Sequence, residues 1–131
     1  LALGAEGVTI GTRLLVTDEC PIHDNVKQAL IEASELDTLP ILGTLHNTLR
    51  AWKNDAAVKV AELEAGQGDM WEILPLVAGT ETKRMIENGI VGAGVLACSQ
   101  SIGVVRETKP VAEVIEGMVR QAQEIRDRLA Q

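Results

Sequence analysis

The 131-residue sequence predicts a segment of a parallel α/β fold that is mostly helical, with one or two short strands. Three features carry that expectation. Leu1 to Arg13 reads as a helix end, a tight glycine turn, a short buried strand and a Gly-Thr pair where the strand stops. A parallel α/β fold holds ligands, phosphates above all, just beyond the carboxyl ends of its strands. Val111, Val114, Ile115, Met118, Val119, Ala122, Ile125 and Leu129 form a sustained apolar stripe at helical spacing. Between these ends, capping residues and glycines punctuate further helices. A helix end with no helix before it, and a strand with no parallel neighbour, imply a chain that begins inside a larger fold.

The elements follow in order. Residues 1–4 are read as the last turn of a helix with Gly4 as its C-cap, where a left-handed backbone costs glycine little. Gly7 to Leu15 is apolar nearly throughout (Val8, Ile10, Leu14, Leu15), the pattern of a strand covered on both faces. Thr17 to Pro21 is a polar loop, after which Asp24 is expected to cap a helix to about Ser34. Leu39 to Leu45, with Pro40 and Gly43, is an extended excursion, and Leu45 to Trp52 is ambiguous. Asn54 or Asp55 starts a helix that Gly66 ends. Asp69 to Val77 is a short helical turn broken by Pro75. Thr80 caps the next helix, closed by Asn88-Gly89. In Ile90 to Val105 the glycines Gly92, Gly94 and Gly103 mark close backbone approach. The last helix follows Pro110.

Composition narrows the function classes. The formal net charge is −7 and no Lys/Arg run exists, which argues against a nucleic-acid partner. Trp52 and Trp71 are the only aromatics, too few for base-stacking platforms. No apolar run reaches the roughly 20 residues of a membrane span, and no signal peptide is visible. Cys20 and Cys98 stand far apart without a CxxC or a Cys/His cluster. They read as reduced thiols of a cytoplasmic protein, neither a disulfide framework nor a metal site.

Few residues carry recognisable chemistry. Gly11 lets an anion approach its amide because no Cβ intervenes, and Thr12 adds a hydroxyl donor. The same residues also fit an ordinary strand that ends at a glycine turn. His23, after a proline near a helix start, is a general base or a capping or surface histidine. His46 has no carboxylate or cysteine at ligand spacing and reads as structural. Cys98 lacks a nearby histidine and reads as buried and inert. Glu62, Glu64, Glu113, Glu116 and Glu124 fall on polar helix faces as solvated carboxylates. No Walker loop, dinucleotide fingerprint, Gly-x-Ser-x-Gly elbow or HExxH is present.

The run Ala2-Leu3-Gly4-Ala5-Glu6-Gly7-Val8-Thr9-Ile10-Gly11-Thr12-Arg13 resembles the last barrel strand of the FMN-dependent nitronate monooxygenases and the related flavin-dependent enoyl-acyl-carrier-protein reductases. Arg50-Ala51-Trp52-Lys53-Asn54, Gln100-Ser101-Ile102-Gly103 and Lys109-Pro110-Val111 extend the resemblance over nearly all of the chain. The family is built on (β/α)8 barrels. The resemblance therefore implies the C-terminal part of such a TIM barrel. Residues 1–22 would be the last barrel strand with its phosphate-binding turn, and residues 23–131 a helical region packing on the barrel. It implies FMN as cofactor, with Thr9, Ile10, Gly11 and Thr12 at its phosphate, largely through backbone amides. Thr9 replaces the family's usual Gln or Asn, Ile10 its Met, and Ser99 its Gly. No catalytic or metal-binding residue is assigned within the chain, since the family's catalytic histidine lies upstream. The implied activity is oxidation of small alkyl nitronates with O2. One alternative is NAD(P)H-dependent enoyl-thioester reduction, another a non-catalytic, self-associating helical domain. A homo-oligomer is expected in either case.

Overall fold

A computed structural model describes residues 4–130. The readings placed on Leu1, Ala2 and Leu3 lie outside the described residues. Gly4 has φ +91°, the left-handed backbone expected of it. The residues from Gly4 to Gly11 form no strand and pair with none of the described residues. Thr12–Leu15 is instead a single helical turn, α1, with Gly11 at its start. The expected strand over Gly7 to Leu15 is thus corrected in its second half. Apolar content alone does not make a strand, whose hydrogen bonds come from neighbours. Val8 is 76% exposed, so the first half is not covered by described residues either.

α2 spans Asp24–Glu32 and buries Val26 and Leu30. His23, not Asp24, is its cap: Nδ1 accepts from the Asn25 amide at 3.1 Å while Asp24 occupies the first turn. The aliphatic stem of Lys27 is buried, and its Nζ donates to the Thr17 carbonyl at 2.6 Å, tying α2 to the loop after α1. β1 (Thr38–Ile41) and β2 (Leu49–Trp52) then form an antiparallel hairpin with Leu39 opposite Ala51 and Pro40 opposite Arg50. Pro40 is tolerated because β1 is the outer strand, and β2 is met on its other side by Leu96 to Cys98.

α3 (Asp55–Ala65) starts and stops where the sequence indicates, capped by Asn54 and ended at Gly66. α4 (Met70–Val77) opens with a reciprocal capping box between Asp69 and Glu72. It runs through Pro75 instead of breaking there. The carbonyl that Pro75 leaves unbonded belongs to Trp71, which is 75% exposed and open to water. α5 (Gly79–Asn88) follows directly, with Ala78 ending one helix and starting the other. Thr80 therefore sits inside the first turn and is not its cap. Gly89 closes α5 in the left-handed region at φ +69°.

Two apolar clusters result. One gathers Val26 and Leu30 of α2, Met85 of α5, Trp52, Leu96, Ile102 and Val105. The other joins the hairpin to α3 and α4 through Ile41, Ala51, Ala57, Val60 and Ile73. The glycine-rich segment threads between them. A Cβ at Gly94 would lie 2.3 Å from the backbone nitrogen of Thr82, so close approach is what requires glycine there. A 3₁₀ turn over Gln100–Val104 leads on to α6 (Val111–Leu129). Val114 is the one α6 residue buried among the described residues, while Val119 and Ile125 stay about half exposed.

Candidate functional site

The turn at Gly11 and the 3₁₀ turn at Gln100 are far apart in sequence and adjacent in space. Thr12 joins them. It is buried, and its Oγ1 accepts from the Ser99 amide at 2.9 Å and lies 3.0 Å from Ser99 Oγ. Ser99 Oγ in turn stands 2.6 Å from Ser101 Oγ. Ser99 and Ser101 are both exposed. With Thr9, Ile10 and Gly11 they line a cavity of about 260 Å³ whose remaining wall is Arg13, Val104 and Met118.

Each wall has a local cause. Gly11 has φ −119°, which any residue adopts, so glycine is not needed for the turn. Nothing lies within 4 Å of where its Cβ would stand, so that side of the turn is open. The first amides of a helical turn have no partner inside the helix. Arg13 donates to the Val16 carbonyl at 2.8 Å, which holds its guanidinium beside the cavity. No carboxylate lines this space, and Arg13 is its single formal charge among the described residues. Hydroxyls, an open glycine and a cation suit an oxyanion of phosphate size.

A second cavity of about 590 Å³ adjoins the first along α6 and shares Arg13, Val104 and Met118 with it. Its cations are engaged by the chain itself. Arg106 donates to the carbonyls of Val105 and Gly103, and Lys109 pairs with Glu107 at 2.6 Å.

The four residues predicted from sequence, Thr9 to Thr12, thus come together on one wall. Ser99 and Ser101, which the sequence did not single out as binding residues, line the same cavity. Ser99 stood out in the sequence only as a departure from glycine, whereas its side chain is what reaches Thr12. The histidines stand apart from this chemistry. His23 caps α2, and His46 is an exposed turn residue at φ +53°. Burial pushes the Cys98 thiol above its ordinary range, against an opposing pull from the Thr12 hydroxyl, which fits an inert thiol. Glu64 is not merely solvated. Partial burial works to raise its pKa, but bonds from the Thr44 hydroxyl and the Thr44, Leu42 and Gly43 amides outweigh it and hold the carboxyl below the usual range. No cluster of residues able to hold a metal occurs among the described residues. No helix among them is long and apolar enough to cross a membrane.

A family model described as nitronate monooxygenase matches residues 1–121. A dehydrogenase of Rhodococcus jostii (strain RHA1), named for (3aS,4S,5R,7aS)-5-hydroxy-7a-methyl-1-oxo-octahydro-1H-indene-4-carboxyl-CoA, is 27% identical over 158 aligned residues. That match covers 93% of this chain and 45% of the relative. The structure of FabK from Thermotoga maritima superposes with a TM-score of 0.88 at 29% identity, covering 98% of this chain and 40% of that one. Its M276A mutant superposes with a TM-score of 0.76 at 27% identity, with 98% and 37% covered. The chain thus spans less than half the length of these relatives. The enzymes of this family and fold are FMN-dependent TIM barrels, and the described residues of this chain are mostly helical with one antiparallel hairpin.

Proposed function

The chain belongs to the nitronate monooxygenase family, and from that premise we propose that it is the C-terminal part of an FMN-dependent oxidoreductase. Its contribution to that enzyme is the grip on the flavin phosphate. The observation that carries this is the convergence of the Gly11 turn with the Thr12, Ser99 and Ser101 hydroxyls around a space of about 260 Å³. The residues fit the group, since the cavity offers hydroxyl donors and Arg13 and presents no carboxylate. Thr9 to Thr12 supply backbone around the phosphate, and the absent Gly11 Cβ leaves it room. FMN, when bound, supplies hydride or single-electron exchange. This chain binds and orients, and assigns no residue of its own to the reacting atoms.

For the whole enzyme, the reaction we propose is oxidation of a small alkyl nitronate by O2, on the family match. NAD(P)H-dependent reduction of an enoyl thioester is the second reading. The likeness to FabK and the carboxyl-CoA in the Rhodococcus relative's name favour it equally. A cytoplasmic, homo-oligomeric protein completes the proposal, on two unpaired thiols and on exposed apolar residues such as Val8 and Val104.

The test is made on the flavoprotein that carries this segment. O2 uptake with an alkyl nitronate, and no NAD(P)H oxidation with crotonyl thioester, supports the first reading. The converse result transfers the assignment to the second. A colourless protein that cannot be reconstituted with FMN overturns both.

A further inference from the structure

We infer that Lys27 is one half of a buried ion pair whose carboxylate belongs to the part of the flavoenzyme outside this chain. This rests on the reading of the chain as the C-terminal part of a larger enzyme, and it names a contact between the two parts.

Lys27 is the one buried cation among the described residues, 7% exposed on the face of α2 that also buries Val26 and Leu30. An ammonium brings three N–H donors and no acceptor. One donor reaches the Thr17 carbonyl at 2.6 Å, and Thr17 is itself 1% exposed, so the contact lies inside the protein. A carbonyl satisfies an N–H but leaves the charge uncompensated. The ion pairs among the described residues all join solvent-accessible side chains, and none includes Lys27. The chain thus pairs cations that water already solvates and leaves its buried one without a counter-charge.

The charged groups near Lys27 in sequence do not supply it. Asp18 and Asp24 are exposed, and both oxygens of Glu19 accept from the Val111 amide, at 3.1 and 2.9 Å. His23, one turn earlier on α2, is an acceptor at the helix start and carries no negative charge. A dissociable anion has no chamber here, since neither cavity described above is lined by Lys27. An ion taken out of water is strongly unfavourable unless it is paired and its remaining donors are bonded. A carboxylate does both, because its two oxygens offset the charge and accept from the two free N–H groups. More than half the length of the matched relatives lies beyond this chain, which covers 40% of FabK and 45% of the Rhodococcus dehydrogenase. The partner is therefore an Asp or Glu side chain of that remainder, seated against α2 beside Thr17.

The experiment is a double-mutant cycle on the flavoprotein that carries this segment, read as urea unfolding by far-UV circular dichroism. Lys27→Met is combined in turn with the amide counterpart at each Asp and Glu outside the segment, and at Asp18 and Asp24. Lys27→Met alone orphans the partner and should raise the unfolding equilibrium constant about a hundredfold or more. Neutralising the partner should destabilise the wild type and stabilise Lys27→Met, whereas any other carboxylate shifts both backgrounds alike. Should Lys27→Met fail to fold, recovery of folded protein on adding that one substitution is the same readout. The absence of such a reversal outside the segment overturns the inference, as does a reversal at Asp18 or Asp24. Because unfolding is read without flavin, a colourless protein overturns the oxidoreductase reading and leaves the ion pair standing.

Discussion

Replacing Asn54 with alanine should be among the costliest single changes in this fold. Asn54 is 7% exposed and uses both ends of its amide. Its Oδ1 accepts from the Ala57 amide at 3.0 Å, capping α3. Its Nδ2 donates to the carbonyls of Val91 at 2.9 Å and Gly94 at 2.8 Å, fastening the glycine-rich segment to that helix. Loss of the cap costs about 1 kcal/mol. Each buried carbonyl left without its donor adds about 1–3 kcal/mol. A total of about 4 kcal/mol is a large part of the 5–15 kcal/mol that holds a typical domain folded. The assay is urea unfolding followed by far-UV circular dichroism, with Trp52, buried two residues away, as a fluorescence reporter of the same region. Asn54→Asp is the informative companion. It keeps the capping oxygen but turns an acceptor toward two carbonyls, so its deficit should persist at neutral pH and shrink as the carboxyl is protonated. A loss below about 1 kcal/mol for Asn54→Ala would refute the reasoning, because the cap alone accounts for that much.

Other expectations follow from equally local causes. Glu64 and Asp37 both have pKa values held below the ordinary 4.5 and 3.8, Asp37 chiefly by the Ser34 amide and hydroxyl. A depressed carboxyl contributes stability that is whole above its unfolded pKa and is lost as pH falls through its folded one. Stability should therefore decline below about pH 4.5, and Glu64→Gln should flatten part of that acid limb in a pH series of thermal melts. Gly94→Ala, whose Cβ would meet Thr82 backbone at 2.3 Å, should fail to fold or lose several kcal/mol. Gly117→Ala, with nothing within 4 Å, should stabilise α6 by up to about 1 kcal/mol in the same melts. Native alkylation with mass-spectrometric readout should modify half-buried Cys20 well before Cys98, which is 3% exposed. Equal rates would contradict the burial described.

Much of this architecture was legible in the residues because its causes are local. Asn54 and Gly66 bracket α3, and Asn88-Gly89 closes α5, through one cap bond or one dihedral each. The family resemblance in residues 2–13 likewise lay in the sequence, and the match over residues 1–121 agrees with it. The errors differ in cause, one lying in a local choice between neighbouring residues and the other in an exposure that the chain neighbours do not reveal. Asp24 looked like a cap until His23 placed Nδ1 on the Asn25 amide. Pro75 looked like a breaker because the sequence does not say that the carbonyl it frees belongs to an exposed turn.

By itself, then, the sequence determined where α3 starts and stops, where α5 ends, and the family. Tertiary structure alone decided that Ser99 meets Thr12 across a separation of 87 residues, with Ser101 against Ser99. It also decided that an apolar stretch such as Leu14-Leu15 coils into a helical turn instead of extending. The physical reason is the same in both cases. A cap, a turn or a left-handed glycine is satisfied within a few residues of itself, whereas a strand or a hydroxyl relay exists only when the partner that completes its hydrogen bonds is brought to it.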